Sequence, residues 1–187
     1  MASLPLAEHD LVALPRTVLG ALRAALLRDL GPAAATPLQE AGYAGGEAVF
    51  ASFERWLRAR EERGGADVGE LSVTRFEERA SEYFRQAGWG SLAVGTIGGA
   101  VVTLDSTDWW EDDPAAGEVA EAFITIGVFA SFFSRLADEP LAVLQVESRA
   151  AGASRTRFLL GNAEVMDYVY ERLGGGAEYE EAVAGVA

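Results

Sequence analysis

The stretch that decides the fold is Ala122 to Leu160, AFITIGVFASFFSRLADEPLAVLQVESRAAGASRTRFLL. It reads as an apolar helix, a turn at Asp138-Glu139-Pro140, and a hairpin. The hairpin strands are Leu141–Arg149 and Thr156–Gly161, joined by Ala150-Ala151-Gly152-Ala153-Ser154. The helix, Glu118–Ala137, carries Phe123, Phe129, Phe132 and Phe133, flanked by Ile124, Ile126 and Val128. A helix apolar nearly all round must be covered on more than one face. In a small domain that calls for a ligand, a partner subunit, or both.

Working upstream, Ser91–Ile97 and Ala100–Asp105 alternate in polarity around Gly98-Gly99, a pair that predicts a tight hairpin. Before it, helical spacing runs through Arg16–Leu30, closed by Gly31-Pro32, and through Pro37–Arg63, stopped by Gly64-Gly65. Thr74 with Glu77 predicts a capping box for a third helix through Gln86. Downstream, Asn162 is the expected N-cap of a helix to Leu173, and Gly174-Gly175-Gly176 separates a short acidic tail helix. The expected class is α+β: a four-stranded antiparallel sheet of two hairpins packed with about five helices. Residues 1–14 read as a flexible leader and 15–187 as one domain.

Composition bounds the function. Half of the 187 residues are hydrophobic, enough for a sound core. There is no cysteine, hence no disulfide and no thiolate chemistry. No apolar run reaches the roughly 18–20 residues of a membrane span, and MASLPLAEHD lacks a basic segment before an apolar one. A bacterial cytoplasmic protein is expected. Twenty-nine acidic residues against fifteen arginines, with no lysine, give a formal charge of −14. Nucleic acid and anionic bilayers are therefore disfavoured partners. Without lysine, Schiff-base chemistry is excluded.

The Ala122–Leu160 block resembles the signature of the 4-vinyl reductase domain, a small-molecule-binding relative of the TRAPP vesicle-tethering subunits. That family shows C-x-F-T-x-G on the helix, then E-x-x-C and a further Cys eight residues on, and those positions hold a metal. Here the helix reads Ala122-Phe123-Ile124-Thr125-Ile126-Gly127, and the hairpin reads Gln145-Val146-Glu147-Ser148 with Thr156 eight further on. The frame is kept and every ligand is gone, so Ala122, Gln145, Ser148 and Thr156 are degenerate metal positions that should converge in space. Gly88-Trp89-Gly90 resembles the family's entry into its sheet. The resemblance spans roughly residues 15 to 173. It implies an apolar cavity between helix and sheet and a homodimer using that helix. The family name implies reduction of a vinyl group on a chlorophyll precursor, for which no cofactor motif is present here.

Zinc needs about four thiolate, imidazole or carboxylate ligands. The only histidine, His9, lies in the leader, and it is also the only base a Ser-His-Asp triad would have. Asp105, Asp108, Glu111, Asp112 and Asp113 lie close in sequence but lack EF-hand spacing, so they read as a solvated acidic loop rather than a Mg²⁺ or Ca²⁺ site. No cofactor and no catalytic residue is assigned. Trp109 and Trp110 in that loop are less easily core, and as exposed aromatics they are candidates to gate a pocket or an interface. The expected pocket lining is Trp89, Val94, Trp109, Trp110, Phe123, Ile126, Phe129, Phe133, Leu144 and Phe158. The resulting expectation is a non-catalytic sensor or carrier of an apolar small molecule, a homodimer that passes its output to a protein partner. The alternatives are a ligand-free structural scaffold and an accessory factor of tetrapyrrole (bacteriochlorophyll) metabolism.

Overall fold

The structure is a computed structural model and describes residues 11–60, 68–114 and 121–186. His9 and the segment 115–120 lie outside the described residues. The chain runs α1 (Arg16–Leu30), α2 (Ala35–Arg60), α3 (Val73–Gln86), β1 (Ala93–Ile97), β2 (Val101–Ser106), α4 (Phe123–Ala137), β3 (Leu141–Glu147), β4 (Thr156–Asn162), α5 (Ala163–Gly174) and α6 (Tyr179–Ala184). Short 3₁₀ turns occupy Gly31–Ala34, Val68–Glu70 and Trp110–Asp112. Among the described residues, no helix is long and apolar enough to cross a membrane.

The α+β expectation holds. The sheet has order β1-β2-β4-β3, antiparallel throughout, so two hairpins join through β2 and β4. Ile97 pairs with Val101, which leaves Gly98-Gly99-Ala100 as the first loop. Both glycines have positive φ, 64° and 81°, the conformation such a turn demands of residues without a Cβ. The second hairpin is bulged between Gln145 and Glu147.

Strand alternation divides the sheet into two faces. Val94, Val102, Leu104, Val143, Phe158 and Leu160 join the main core with α2, α3 and α4. Val101, Ala142, Leu144, Val146 and Leu159 join a second core under α5 and α6. Asn162 caps α5, its side chain accepting from the Val165 amide at 2.9 Å, as its sequence position predicts.

Element ends shift by one or two residues at several places, β3 for one ending at Glu147 and not Arg149, and two differences from the sequence reading bear on packing. The cap of α3 is Ser72, whose hydroxyl accepts from the Arg75 amide, and not Thr74. Ser72 is the residue in extended geometry (ψ 154°), so its oxygen faces the orphan amides while Thr74 is already helical. And α4 starts at Phe123, not Glu118, with Glu121 and Ala122 outside the helix.

The all-round apolarity of α4 has an internal explanation. One face lies on the sheet and the opposite face on α2, so no ligand or partner is required to cover it. Helices α2 and α4 run side by side in the same direction, and their backbones nearly touch. A Cβ on Gly42 would meet the Ile124 carbonyl, and one on Gly127 would meet the Gln39 carbonyl. Farther along, contact passes to aromatic rings, Phe50 and Phe53 against Phe132 at 5.3 and 5.6 Å between centroids.

Candidate functional site

Two carboxylates of one 3₁₀ turn sit at the N-terminal end of α4, one bonded to the helix and the other to the second hairpin. Glu111 accepts from the Ile124 amide (3.0 Å), the Thr125 amide (2.7 Å) and the Thr125 hydroxyl (2.7 Å). It thus caps α4 from another segment, supplying the acceptor that the methyl side chain of Ala122 at the N-cap position lacks. The Trp109 indole donates to the same Thr125 oxygen at 2.8 Å, and the buried Arg23 of α1 lies 3.5 Å from Glu111. Burial pushes the Glu111 carboxyl above the ordinary range, while the bonds from Thr125 and Ile124 and the charge of Arg23 pull the other way.

Asp112 sits beside it, equally buried. Its carboxylate accepts from the Ser148 hydroxyl (2.6 Å), the Thr156 hydroxyl (2.5 Å), and the amides of Arg149 (2.8 Å) and Ala150 (3.3 Å). Thr156 and Ser148 are two of the four degenerate metal positions, and they meet on this one carboxylate. The other two also meet: the Ala122 amide donates to Gln145 Oε1 at 2.7 Å. The residues do not suit a transition metal. Ala122 has no donor, both hydroxyls are spent on Asp112, and the Gln145 oxygen is taken. The Asp112 carboxylate instead ties the turn to the hairpin.

The acidic loop does not gather into a site. Asp105 forms a bidentate pair with Arg157 (2.7 and 2.6 Å), Asp108 accepts from Ser91 and Ser106, and Glu111 and Asp112 face different partners. Among the described residues, no three His, Cys, Asp or Glu groups lie together as metal ligands would. At the hairpin's far side, Glu147 accepts from Arg155 (3.0 and 2.8 Å) and from the Tyr179 hydroxyl (2.7 Å), which in turn accepts from Arg157. This network holds α6 to the sheet. Hydrogen bonding from Arg155, then from Tyr179, lowers the Glu147 pKa against the effect of burial, and burial helps push Tyr179 up to about 12.

Trp109 and Trp110 are not exposed gates; they are 0% and 7% exposed. The Trp110 amide donates to the Trp89 carbonyl, which folds the loop inward. Trp109 meets Phe129 in a tilted pair with centroids 5.0 Å apart, and Phe129 meets Phe158 edge-on at 5.3 Å, so the deep interior is filled by rings. Trp89 and Ile126 pack on that core from partly buried positions. Phe123 belongs to a separate small cluster with Ala34 and Leu38, and Leu144 faces α5 and α6 across the sheet.

Of the expected lining, Val94 and Phe133 do border an open apolar pocket of about 540 Å³ at the C-terminal end of α4. Its walls are Leu136 and Ala137 of α4, Val73 and Phe76 of α3, and Val68, Gly69 and Leu71 before α3. Its floor is one end of the sheet, where Gly95, Thr96, Val102, Leu141 and Leu160 come together. The sequence reading missed most of these because they come from several separate elements and mix core residues such as Phe76 and Leu160 with exposed ones such as Val73 and Thr96. The available signal was Val73, an apolar residue that opens α3 three positions before Phe76 and is itself exposed.

No family model matches the sequence, and no curated protein matches it. Solved structures do. The phenol-responsive sensory domain of the transcription activator PoxR, in complex with phenol, superposes with TM-score 0.61 at 20% identity, over 82% of this chain and 77% of that chain. A trafficking protein particle complex subunit 3 from Naegleria fowleri, covalently bound to palmitic acid, superposes with TM-score 0.55 at 14% identity, over 78% of this chain and 91% of that chain. This chain shares their fold. A vinyl-4-reductase family protein from Methanocaldococcus jannaschii superposes more loosely, with TM-score 0.46 at 10% identity over 80% and 82%.

Proposed function

We propose that this protein is a non-catalytic binding module for an apolar small molecule, held in the pocket at the C-terminal end of α4. The observation that carries the reading is the pocket itself, about 540 Å³ with no ionisable side chain in its lining. That volume lies in the range of ligand sites. The fold supports the reading, since one structure of this fold contains phenol and another carries palmitic acid. Glu111 and Asp112, the two most deeply placed carboxylates, are spent on structural hydrogen bonds, which leaves them no part in proton transfer.

A cytoplasmic homodimer completes the proposal, with output passed to a protein partner. The self-association surface is α1 rather than α4, because Val18, Leu22, Leu26 and Leu30 form an exposed stripe at four-residue spacing. The scaffold reading keeps one observation in its favour, the ring-filled interior around Phe129. Native mass spectrometry of freshly purified protein separates the two. The expected result is a dimer carrying a small co-purifying mass, removed by Leu136→Trp, which fills the pocket. A ligand-free spectrum, together with no thermal shift from any apolar compound, would favour the scaffold.

A further inference from the structure

Polar groups at a pocket's wall and mouth decide what chemistry it accepts, because a buried charge without a partner is expelled. Among the side chains lining this pocket, the only hydrogen-bonding one is the hydroxyl of Thr96. Thr96 lies on the edge strand β1 and is itself exposed, so the hydroxyl stands at the rim and the side chains behind it are apolar. Val73, 71% exposed, marks the rest of the mouth.

Among the described residues, the rim offers no unengaged cation to an anionic headgroup. The two arginines adjacent in sequence to the lining are both engaged by carboxylates: Arg75 pairs with Glu78 at 3.0 Å, and Arg135 pairs with Glu47 at 2.7 Å. Glu70 and Asp138, the acidic neighbours of Gly69, Leu71 and Ala137, add negative charge beside the opening. The chain as a whole carries −14, a field that opposes the approach of anions.

Resting on the binding reading above, we propose that the pocket selects uncharged molecules with at most one neutral polar group, placed at the Thr96 rim, and rejects carboxylate-headed ones of the same length. An alcohol, ketone or ester on an apolar body fits; a free fatty acid does not. The apolar interior is a place where water gains no hydrogen bonds, so it fills readily with hydrocarbon. Binding there should show a negative heat-capacity change.

The test uses the full chain at neutral pH with 1-decanol and decanoate as matched probes, followed by calorimetry and thermal melting. Decanol is expected to bind at least tenfold more tightly than decanoate and to raise the melting temperature. Leu136→Trp should abolish the decanol response. Val73→Arg, which sets a cation at the mouth, should narrow the gap between the probes to about threefold or less. Equal binding of both probes to the unmodified protein overturns the ligand-class inference while leaving the binding reading intact. Binding of neither probe, with Leu136→Trp changing nothing, overturns the binding reading itself. Thr96→Val leaves the fold untouched and should weaken decanol while sparing decane; equal loss of both places the polar group elsewhere and overturns the rim assignment.

Discussion

The two ends of α4 meet the same sheet with opposite chemistry. At the N-terminal end, Glu111 and Asp112 fill the space with charge-assisted hydrogen bonds to the helix amides and to the second hairpin. At the C-terminal end, Phe133, Leu136 and Ala137 leave an apolar pocket unfilled. The difference follows from what each end leaves unsatisfied. A helix N-terminus presents bare amides and a partial positive charge, so carboxylates seal it well. The C-terminal end here is satisfied locally: Asp138 turns left-handed (φ 54°) and its amide bonds the Ser134 carbonyl, while the Ser134 hydroxyl accepts from the Leu141 amide. With the Ser134 carbonyl and hydroxyl engaged locally, that end borders the apolar pocket through Phe133, Leu136 and Ala137. One end of the helix is a fastener, and the other is free to take a ligand.

The largest effect should come from unfastening. Asp112→Ala removes the acceptor of two hydroxyls and two amides at once. Each buried donor left unpaired costs about 1–3 kcal/mol, so a loss of roughly 3 kcal/mol or more is expected in urea denaturation. Decanol binding should survive under native conditions, since no pocket residue is touched. A loss below about 1 kcal/mol would mean that the hairpin is held by other contacts, and the contrast between the ends would fail.

Next in size is the helix crossing that backs the fastened end. Gly127→Ala drives a methyl into the Gln39 carbonyl and to within 2.6 Å of the Tyr43 amide, both rigid backbone. Overpacking of that kind costs about 1–3 kcal/mol. Gly45→Ala, on the same pair of helices but with nothing within 4 Å of the added methyl, should instead stabilise by up to about 1 kcal/mol through helix propensity. Equal effects of the two substitutions would show that the helices separate easily.

Much of this fold is legible in the sequence. The hairpin around Gly98-Gly99 and the Asn162 cap are local, and local signals need no tertiary knowledge. The pairing of β2 with β4 is not local, and the alternating pattern offered only a four-stranded sheet of two hairpins, not the strands through which they join. What stayed hidden was long-range. That α2 lies against α4 depends on Gly42, Gly46 and Gly127, whose meaning appears only when two helices are brought together. An acidic tract looks solvated because charge usually is. Nothing in Trp109-Trp110-Glu111-Asp112 announces that these two carboxylates face inward to amides 13 and 37 positions away. Four neutral residues at degenerate metal positions were visible, but the carboxylate that meets two of them was not.

The smallest expected effects concern pH, and the two best-defined carboxylates should oppose each other. Glu147 titrates below the ordinary glutamate value of 4.5 in the folded chain because Arg155 and Tyr179 hold its charged form. A lowered folded pKa gives stability that is present above about pH 4.5 and is lost as pH falls through the folded value. Glu111 titrates above 4.5 because burial disfavours its charge. Its contribution is present below about pH 4.5 and is lost as pH rises through the folded value. Denaturation midpoints of the parent, Glu147→Gln and Glu111→Gln from pH 3 to 8 separate the two. The Glu147→Gln curve should lack part of the parent's acid-side decline, on the order of 1 kcal/mol for a partly exposed group. The Glu111→Gln curve should flatten above pH 4.5 instead. Because Tyr179 joins Glu147 to α6, the acid-side loss should appear first as faster amide exchange in α6, with α4 still protected. Exchange that begins at α4 under acid would mean that the fastened end yields before the hairpin network does, and the order of strength argued for the two regions would be reversed.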